Sequence, residues 1–275
     1  MKKHFNLFIK TSLFFAVLFA FSSCVQENSA PERSWTLVWE DNFDGPAGTP
    51  IDETYWNFDQ GTDWGNAQLE YTTDRTDNIR MDGNGNLEIV ARAEGFAGSA
   101  YTSGRITTLG KVDQTYGRFE ARLKTPFGPG LWPAFWLLGS NCDVEEWPLC
   151  GEIDVMELRG QEPSIIHGSV HGPGYSAGDA ITNSFTLVND RFDNDFHVFA
   201  VEWGEDYVDY YVDDNLYFRV EPDDLEGNEW VYDHDFHIIL NVAVGGNYVG
   251  FPAPGTTFPQ KMVVDYVRVF RESVQ

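Results

Sequence analysis

Short segments in which apolar and polar residues alternate recur along most of the chain. Positions 117–124 show the pattern clearly, because Phe119, Ala121 and Leu123 alternate with charged residues. A period of two residues is typical of strands with one buried face. The sequence therefore predicts strands, and no long helix, over 35–43, 78–81, 86–92, 101–111, 117–124, 131–138, 151–160, 165–171, 185–188, 197–203, 207–212, 215–220, 236–244 and 262–270.

Turn signals separate these segments at regular intervals, for example the run DGNGN at 82–86. Short strands with this spacing are typical of a sandwich, so we predict an all-β fold. Two segments interrupt the alternation. Positions 55–71 are rich in Trp, Asn and Gly and are predicted to form a surface loop. Positions 94–100 are small and Gly-rich and are predicted to form a mobile loop.

The strand predicted over 151–160 reads GEIDVMELRG and carries three acidic residues. Successive side chains of a strand point to opposite faces, so Glu152 and Asp154 share a face while Ile153 occupies the other. Glu157 is out of phase by one residue. It can join the acidic face only if the strand contains a bulge near positions 155 and 156, and bulges are often found beside active sites.

Three neighbouring carboxylates repel one another, which raises the pKa of at least one of them. One carboxyl can then stay protonated while another is ionised, which is the condition that glycoside hydrolysis needs. The alternative is a strand edge whose charges protect against aggregation. The spacing of Glu152, Asp154 and Glu157 alone does not decide between these two interpretations.

The first 23 residues have the layout of a secretory signal peptide. Lys2, Lys3 and Lys10 form its basic part, and 12–21 is an apolar run too short to span a bilayer as a helix. We predict residues 1–23 to be a lipoprotein signal peptide.

The run FSSC at 21–24 resembles a bacterial lipoprotein cleavage box, although Phe21 replaces the usual small aliphatic residue. Cys24 is then expected to be lipidated. Residues 24–33 are predicted to be a polar tether and 34–275 a single domain. We expect an exported bacterial lipoprotein at the outer membrane or cell surface. Ordinary signal cleavage would instead leave the protein periplasmic or secreted.

The formal charge is strongly negative. Removal of the signal segment, with three lysines and no acidic residue, takes it from −25 to −28. This charge argues against nucleic acids, anionic membranes and sulfated polysaccharides as partners. Membrane contact is expected only through the lipid anchor. Aromatic residues make up 15% of the chain, more than a sandwich core needs, and their abundance favours a sugar-stacking cleft.

Apart from Cys24, the chain contains Cys142 and Cys150. A disulfide between them is plausible in the oxidising environment outside the cytoplasm. It would close a short loop just before Glu152. Zinc binding is disfavoured because no histidine has the required spacing.

Eight motifs, taken in chain order, resemble glycoside hydrolase family 16 and, within it, the laminarinase-like endo-β-1,3-glucanases. Each is weak alone, but the ordered set is specific and covers nearly all of the chain after the tether. They are VWEDNFDG (38–45), YGRFEAR (116–122), GLWPAFWLLG (130–139), GEIDVME (151–157), VHGP (170–173), HVFAVEW (197–203), ILNVAVGG (239–246) and VDYVRVF (264–270).

The resemblance implies a jelly-roll β-sandwich with a concave cleft and a retaining mechanism. It assigns Glu152 as the nucleophile, Glu157 as the acid/base and Asp154 as the residue that orients the nucleophile. A retaining pair needs carboxyls about 5–5.5 Å apart, which here requires a bent, bulged strand. The resemblance further implies a monomeric enzyme that acts on β-glucan polysaccharides and needs no cofactor for catalysis.

Substrate-binding residues follow from the same resemblance. Trp132 and Trp136 lie four positions apart and would stack on sugar rings, although they could instead belong to the core. Arg105, Asn66 and His171 match cleft positions.

Many family members bind one calcium ion away from the cleft. Asp265 matches its carboxylate ligand, Gly85 a backbone-carbonyl donor, and Asn42 replaces the usual acid of the first strand. Such an ion would stabilise the fold without acid–base chemistry.

Three other functions compete with β-1,3-glucan hydrolysis. Mixed-linkage β-1,3-1,4-glucanase activity stays open, as does hydrolysis of agar or carrageenan, although the negative charge disfavours sulfated galactans. A non-catalytic glucan-binding protein is the third alternative. Relatives of that kind lack the glutamates that this chain keeps at 152 and 157.

Overall fold

The computed structural model describes residue 1 and residues 33–273. The predicted signal peptide, Cys24 and nearly all of the predicted tether lie outside the described residues. The described chain forms two antiparallel-rich sheets that pack face to face, so the predicted β-sandwich is confirmed. The helical elements of the described chain are two short 3-10 turns, Ala177–Asp179 and Pro222–Leu225. Neither is long enough to cross a membrane.

The first sheet has ten strands. In spatial order its path runs through β16 (Asn215–Val220), β15 (Tyr207–Val212), β14 (His197–Gly204), β9 (Gly117–Lys124), β18 (Gln260–Glu272), β5 (Leu87–Phe96), β6 (Ser99–Ser103) and β3 (Glu70–Thr72). Two further strands pair at its side, β1 (Trp35–Asp41) with β18 and β4 (Ile79–Met81) with β5.

The second sheet has eight strands and is called the site sheet below. In spatial order it contains β13 (Ile181–Thr186), β12 (Ile165–His171), β11 (Glu152–Leu158), β10 (Leu131–Gly139), β17 (Phe236–Val244), β7 (Arg105–Thr107) and β2 (Asn57–Phe58), while β8 (Asp113–Gln114) pairs with β17. β11 therefore has neighbours on both sides, and its acidic residues lie inside the sheet rather than at an edge.

The core fills the space between the two sheets. Alternate residues of β9, such as Phe119 and Leu123, are fully buried, as the period of two predicted. On the site sheet every residue of β17 is buried. Trp203 of β14 meets Phe236 of β17 edge to face at a ring-centroid distance of 5.0 Å, which joins the sheets directly. Burial of each large apolar side chain contributes roughly 1.5–3 kcal/mol.

The prediction of a single strand over 101–111 is wrong. The chain leaves the first sheet after Ser103 and joins the site sheet at Arg105, so Gly104 is the crossing point. A Cβ atom at Gly104 would lie 2.3 Å from Cγ1 of Ile79, which explains why a glycine is needed there. The crossing places Arg105 beside β17 on the site sheet.

The loop predicted over 94–100 is also wrong, since β5 and β6 form a hairpin there. Ala97 and Gly98 turn the chain with φ values of 47° and 94°, and two successive positive φ values are typical of tight hairpin turns. The predicted 55–71 loop contains the short strands β2 and β3, and the strand predicted over 185–188 is β13, which begins earlier, at Ile181.

Candidate active site

A β-bulge in β11 brings the three carboxylates to one face of the site sheet. Along β10, Trp136 pairs with Asp154 and Phe135 with Met156, so Val155 is the extra residue. The register with β12 shifts by the same amount between Asp154 and Glu157. The predicted bulge is therefore confirmed, and Glu157 regains the phase of Glu152 and Asp154.

Glu152 begins β11 and is held by two hydrogen bonds. The indole N–H of Trp147 donates to its Oε2 at 2.6 Å. On its other side, the Asp154 carboxyl hydrogen-bonds to Glu152 in a way that favours the protonated form of Asp154. These two contacts orient the Glu152 carboxylate from opposite sides.

Asp154 is buried between the two glutamates. Burial raises its pKa well above the usual range, and the neighbouring charge of Glu152 raises it further. His171 Nε2 lies 2.8 Å from Asp154 Oδ2. The backbone N–H of Ala177 donates to His171 Nδ1 at 3.1 Å, which orients the imidazole ring beside Asp154.

Glu157 differs from Glu152 in its surroundings. Its side chain is buried, which raises its pKa well above the usual range, and the charge of Asp154 acts in the same direction. The indole N–H of Trp132 donates to its Oε1 at 2.7 Å and partly opposes this rise. A raised pKa favours the protonated carboxyl, which is the form that a general acid must have.

The side of the site sheet formed by β10, β17 and β7 presents stacked rings. Trp132 and Trp136 are half-buried on one face of β10, and the indole N–H of Trp136 donates to Asn241 Oδ1 at 2.7 Å. The guanidinium of Arg105 lies over Trp136 and also over Trp64, at 4.9 and 4.5 Å from the ring centroids. This side of the face therefore offers flat surfaces of the kind that sugars stack on.

The other predicted cleft residues adjoin these rings. Arg105 is fixed by an ion pair with Asp59, with Nε and Oδ2 3.0 Å apart. Asn66 is exposed, has a φ of 52°, and its carbonyl accepts a hydrogen bond from the N–H of Asn247 at 2.7 Å. Gly246, next to Asn247, lies close to the Trp132 ring and to the Asn66 carbonyl. The structure thus places Asn66 at the same side as Trp132.

Sequence reasoning missed three aromatic residues of the site: Trp64, Trp147 and Tyr248. The Tyr248 ring packs on Trp132 with centroids 4.9 Å apart. Trp147 lies in the loop 142–150, whose cysteines are joined by a disulfide with Cα atoms 5.1 Å apart. The signal that could have identified Trp147 is a Trp-Pro pair in a cysteine-closed loop five residues before an acidic strand.

Glu152, Asp154 and His171 each offer one ligand atom, and these atoms lie within 4.8 Å of one another. By distance they could share a cation. However, burial and the neighbouring Glu152 raise the pKa of Asp154, which favours its protonated form, and a protonated carboxyl is a poor metal ligand. Their chemistry suits proton sharing better than metal binding.

The residues predicted to bind calcium converge at one place in the first sheet. β1 ends on β18 at the pair Asp41–Val267, and β5 begins at the pair Leu87–Val264, so Asn42 and Gly85 both approach Asp265. The Asp265 carboxylate accepts a hydrogen bond from Arg122 Nη1 at 2.5 Å. One carboxylate with backbone carbonyls is a hard-oxygen donor set that fits calcium.

Known proteins that resemble this chain include glucan-cleaving enzymes. The family described as glycosyl hydrolases family 16 matches residues 56–268. A beta-glucanase of Rhodothermus marinus is 40% identical over 274 residues, which cover 95% of this chain and 94% of that protein.

Two solved structures are similar over nearly the whole described chain. The endo-β-1,3-glucanase of Pyrococcus furiosus has a TM-score of 0.83 and 45% identity, covering 88% of this chain and 97% of that one. The laminarinase catalytic domain of Thermotoga maritima MSB8 has a TM-score of 0.82 and 45% identity, covering 87% and 99%.

Replacement of Trp132 by Phe should raise the pKa of Glu157 further, because the lost indole N–H stabilises the ionised carboxylate. The measurement is a carboxyl-carbon NMR titration of the protein with labelled glutamate. Trp136→Phe is the matched control, since the Trp136 indole bonds to Asn241 and should leave the Glu157 titration in place. A downward change in Trp132→Phe, or equal changes in both variants, would contradict the assigned hydrogen bond.

Proposed function

Because this chain belongs to glycoside hydrolase family 16, we propose that it is a retaining endo-β-1,3-glucanase that hydrolyses laminarin-type β-glucans. The observation that carries the proposal is the unequal environment of two glutamates on one bulged strand. Glu157 is buried, which raises its pKa and favours its protonated form, whereas Glu152 is more exposed and accepts a hydrogen bond from the Trp147 indole N–H. This division of roles is the one that a retaining glycosidase needs.

In the proposed reaction, Glu157 gives its proton to the glycosidic oxygen while Glu152 attacks the anomeric carbon. The bond to the leaving sugar breaks and a covalent glycosyl-enzyme forms. Glu157, now ionised, removes a proton from water, which displaces Glu152 and releases the product. Asp154 stays protonated and hydrogen-bonds to Glu152, so it holds the nucleophile as its charge is consumed and restored.

Endo action is supported by the position of β11 within the site sheet. Strands lie on both sides of it, β10, β17 and β7 on one side and β12 and β13 on the other. A polysaccharide laid across the strands therefore meets protein on both sides of the carboxylates. The β-1,3 linkage is proposed from the laminarinases that this chain resembles at 45% identity.

The proposal is tested by incubation of the protein with laminarin, lichenan, agarose and carrageenan, followed by identification of the products. We expect laminarin to be cleaved to several oligosaccharides whose new reducing ends are initially the β-anomer. Glu157→Gln should lower the rate by about 10²–10⁴-fold, because general acid catalysis is worth that much.

The two glutamates are distinguished by chemical rescue. Glu157→Ala, but not Glu152→Ala, should regain activity on an activated aryl glycoside when a small anion such as azide is added. Rescue of Glu152→Ala alone would reverse the assignment. Cleavage of lichenan without laminarin would favour a mixed-linkage enzyme, and release from agarose alone would overturn the glucanase proposal. Sugar binding without cleavage would favour a glucan-binding protein.

We also propose that a structural calcium ion is held by Asp265 with the carbonyl oxygens of Asn42 and Gly85. Calcium at about 100 times its Kd stabilises a protein by about 2.7 kcal/mol. The melting temperature should therefore rise by roughly 5–10 °C when calcium replaces a chelator. Asp265→Asn should lose most of this rise. An identical melting temperature with calcium and with chelator would refute the ion.

The proposed localisation is that of an exported lipoprotein. Cells that express the full chain should incorporate a labelled fatty acid into the protein and keep it in the membrane fraction. Cys24→Ser should abolish the label and release the protein as a soluble form. Label retained in Cys24→Ser, or absent from the wild type, would refute lipidation at Cys24.

A further inference from the structure

The hydrogen-bond donors of the two glutamates come from different kinds of structure. Trp132, the donor to Glu157, lies on β10 in the middle of the site sheet, where strands pair with it on both sides. Trp147, the donor to Glu152, lies in the loop between β10 and β11. The nucleophile proposed above therefore depends on a loop for one of its two donors.

This loop has few ties to the rest of the protein. Every backbone–backbone hydrogen bond found for residues 141–149 stays within residues 139–151. Its outer part is exposed, with Trp147 at 44% and Leu149 at 46% of their full accessible surface. Internal hydrogen bonds can shape such a loop, but they do not fix its position relative to β11.

The disulfide provides the missing attachment. Cys150 is fully buried and directly precedes Gly151 and Glu152, and its carbonyl lies 3.1 Å from His234 Nε2. The bond from Cys150 joins Cys142, at the other end of the loop, to this buried point. Trp147 lies between the two cysteines, so the closed ring of chain restricts where its indole can go.

The position of Trp147 suits a role on Glu152. Its N–H donates to Oε2, and its ring lies 6.1 Å from the His171 ring. His171 pairs directly with Glu152 across β11 and β12. Glu152 is the first residue of β11, so along the chain it has strand residues only on its C-terminal side. On its N-terminal side, the Trp147 indole from the loop orients the carboxylate.

We propose that Trp147 is a positioning residue for the nucleophile and that the Cys142–Cys150 disulfide keeps it in place, so that reduction of this bond impairs catalysis without unfolding the sandwich. The inference rests on the proposed function, in which Glu152 is the nucleophile. Trp147 acts through the Glu152 carboxylate, and the disulfide acts through Trp147.

The test compares wild type, Trp147→Phe, Cys142→Ser and the double variant on a β-1,3-glucan oligosaccharide. Loss of one hydrogen bond to a charged group should lower kcat about tenfold in Trp147→Phe, with KM changed less than about twofold. A merely structural role would not lower kcat while leaving KM nearly unchanged in a protein that melts at the wild-type temperature.

Cys142→Ser, and wild type treated with a phosphine reductant, should lose activity by up to the same factor. The double variant should be no worse than Trp147→Phe alone, because both changes remove one interaction. Leu149→Ala is the matched control, since it alters an exposed residue of the same loop and should leave both kcat and KM unchanged. Additive losses, or wild-type values in Trp147→Phe, would overturn the proposal.

A measurement without substrate separates this inference from the proposed function. In ¹H–¹⁵N spectra of the substrate-free protein, the Trp147 indole N–H signal should move upfield in Cys142→Ser and in Glu152→Ala, because its hydrogen bond to Glu152 is lost. If wild type cleaves no β-glucan but this signal moves, the proposed function fails and the positioning contact stands. If the signal does not move, the positioning role fails whatever the enzyme cleaves.

Discussion

The single extra residue in β11 is the constraint on which the site depends. Strand geometry sends alternate side chains to opposite faces, and Glu157 would point into the core if Val155 did not interrupt the pairing. The core would then have to accept a carboxyl where it now holds apolar side chains such as Ile153. The bulge therefore serves packing and chemistry together, because the same shift keeps apolar residues inside and gathers acidic residues outside.

The bulge brings the three carboxylates together, but the residues around each one give them different environments. Burial sets Glu157 and Asp154 apart from Glu152, and each glutamate receives an indole N–H from its own side. Asp154 lies between them, and burial raises its pKa and that of Glu157, which favours the protonated form of both. A carboxyl that keeps its proton carries no charge, so repulsion within the cluster is reduced.

Much of this arrangement follows from sequence because it depends on local rules. Alternation identified strands such as β9, and the one-residue phase difference of Glu157 required the bulge in β11. The predictions that failed depend on contacts between residues that are far apart in the sequence. Nothing in the alternation of 101–111 shows that Ser103 and Arg105 pair with different sheets, since the reason is the close approach of Gly104 to Ile79. Trp147 was missed for a similar reason, because the path of the loop between β10 and β11 determines which residue its indole contacts.

The crossing at Gly104 has a consequence for how this cleft can change. Arg105, sandwiched between Trp64 and Trp136, is separated by one residue from a strand of the opposite sheet. A one-residue connection cannot absorb an insertion or a sliding of one sheet over the other, so either change would displace Arg105 relative to the rings of Trp64 and Trp136. The half of the cleft beside β7 is therefore connected to the first sheet directly through Gly104. The half formed by β12 and by the loop before β11 is where variation in length can be accommodated, and we expect new substrate preferences to arise there.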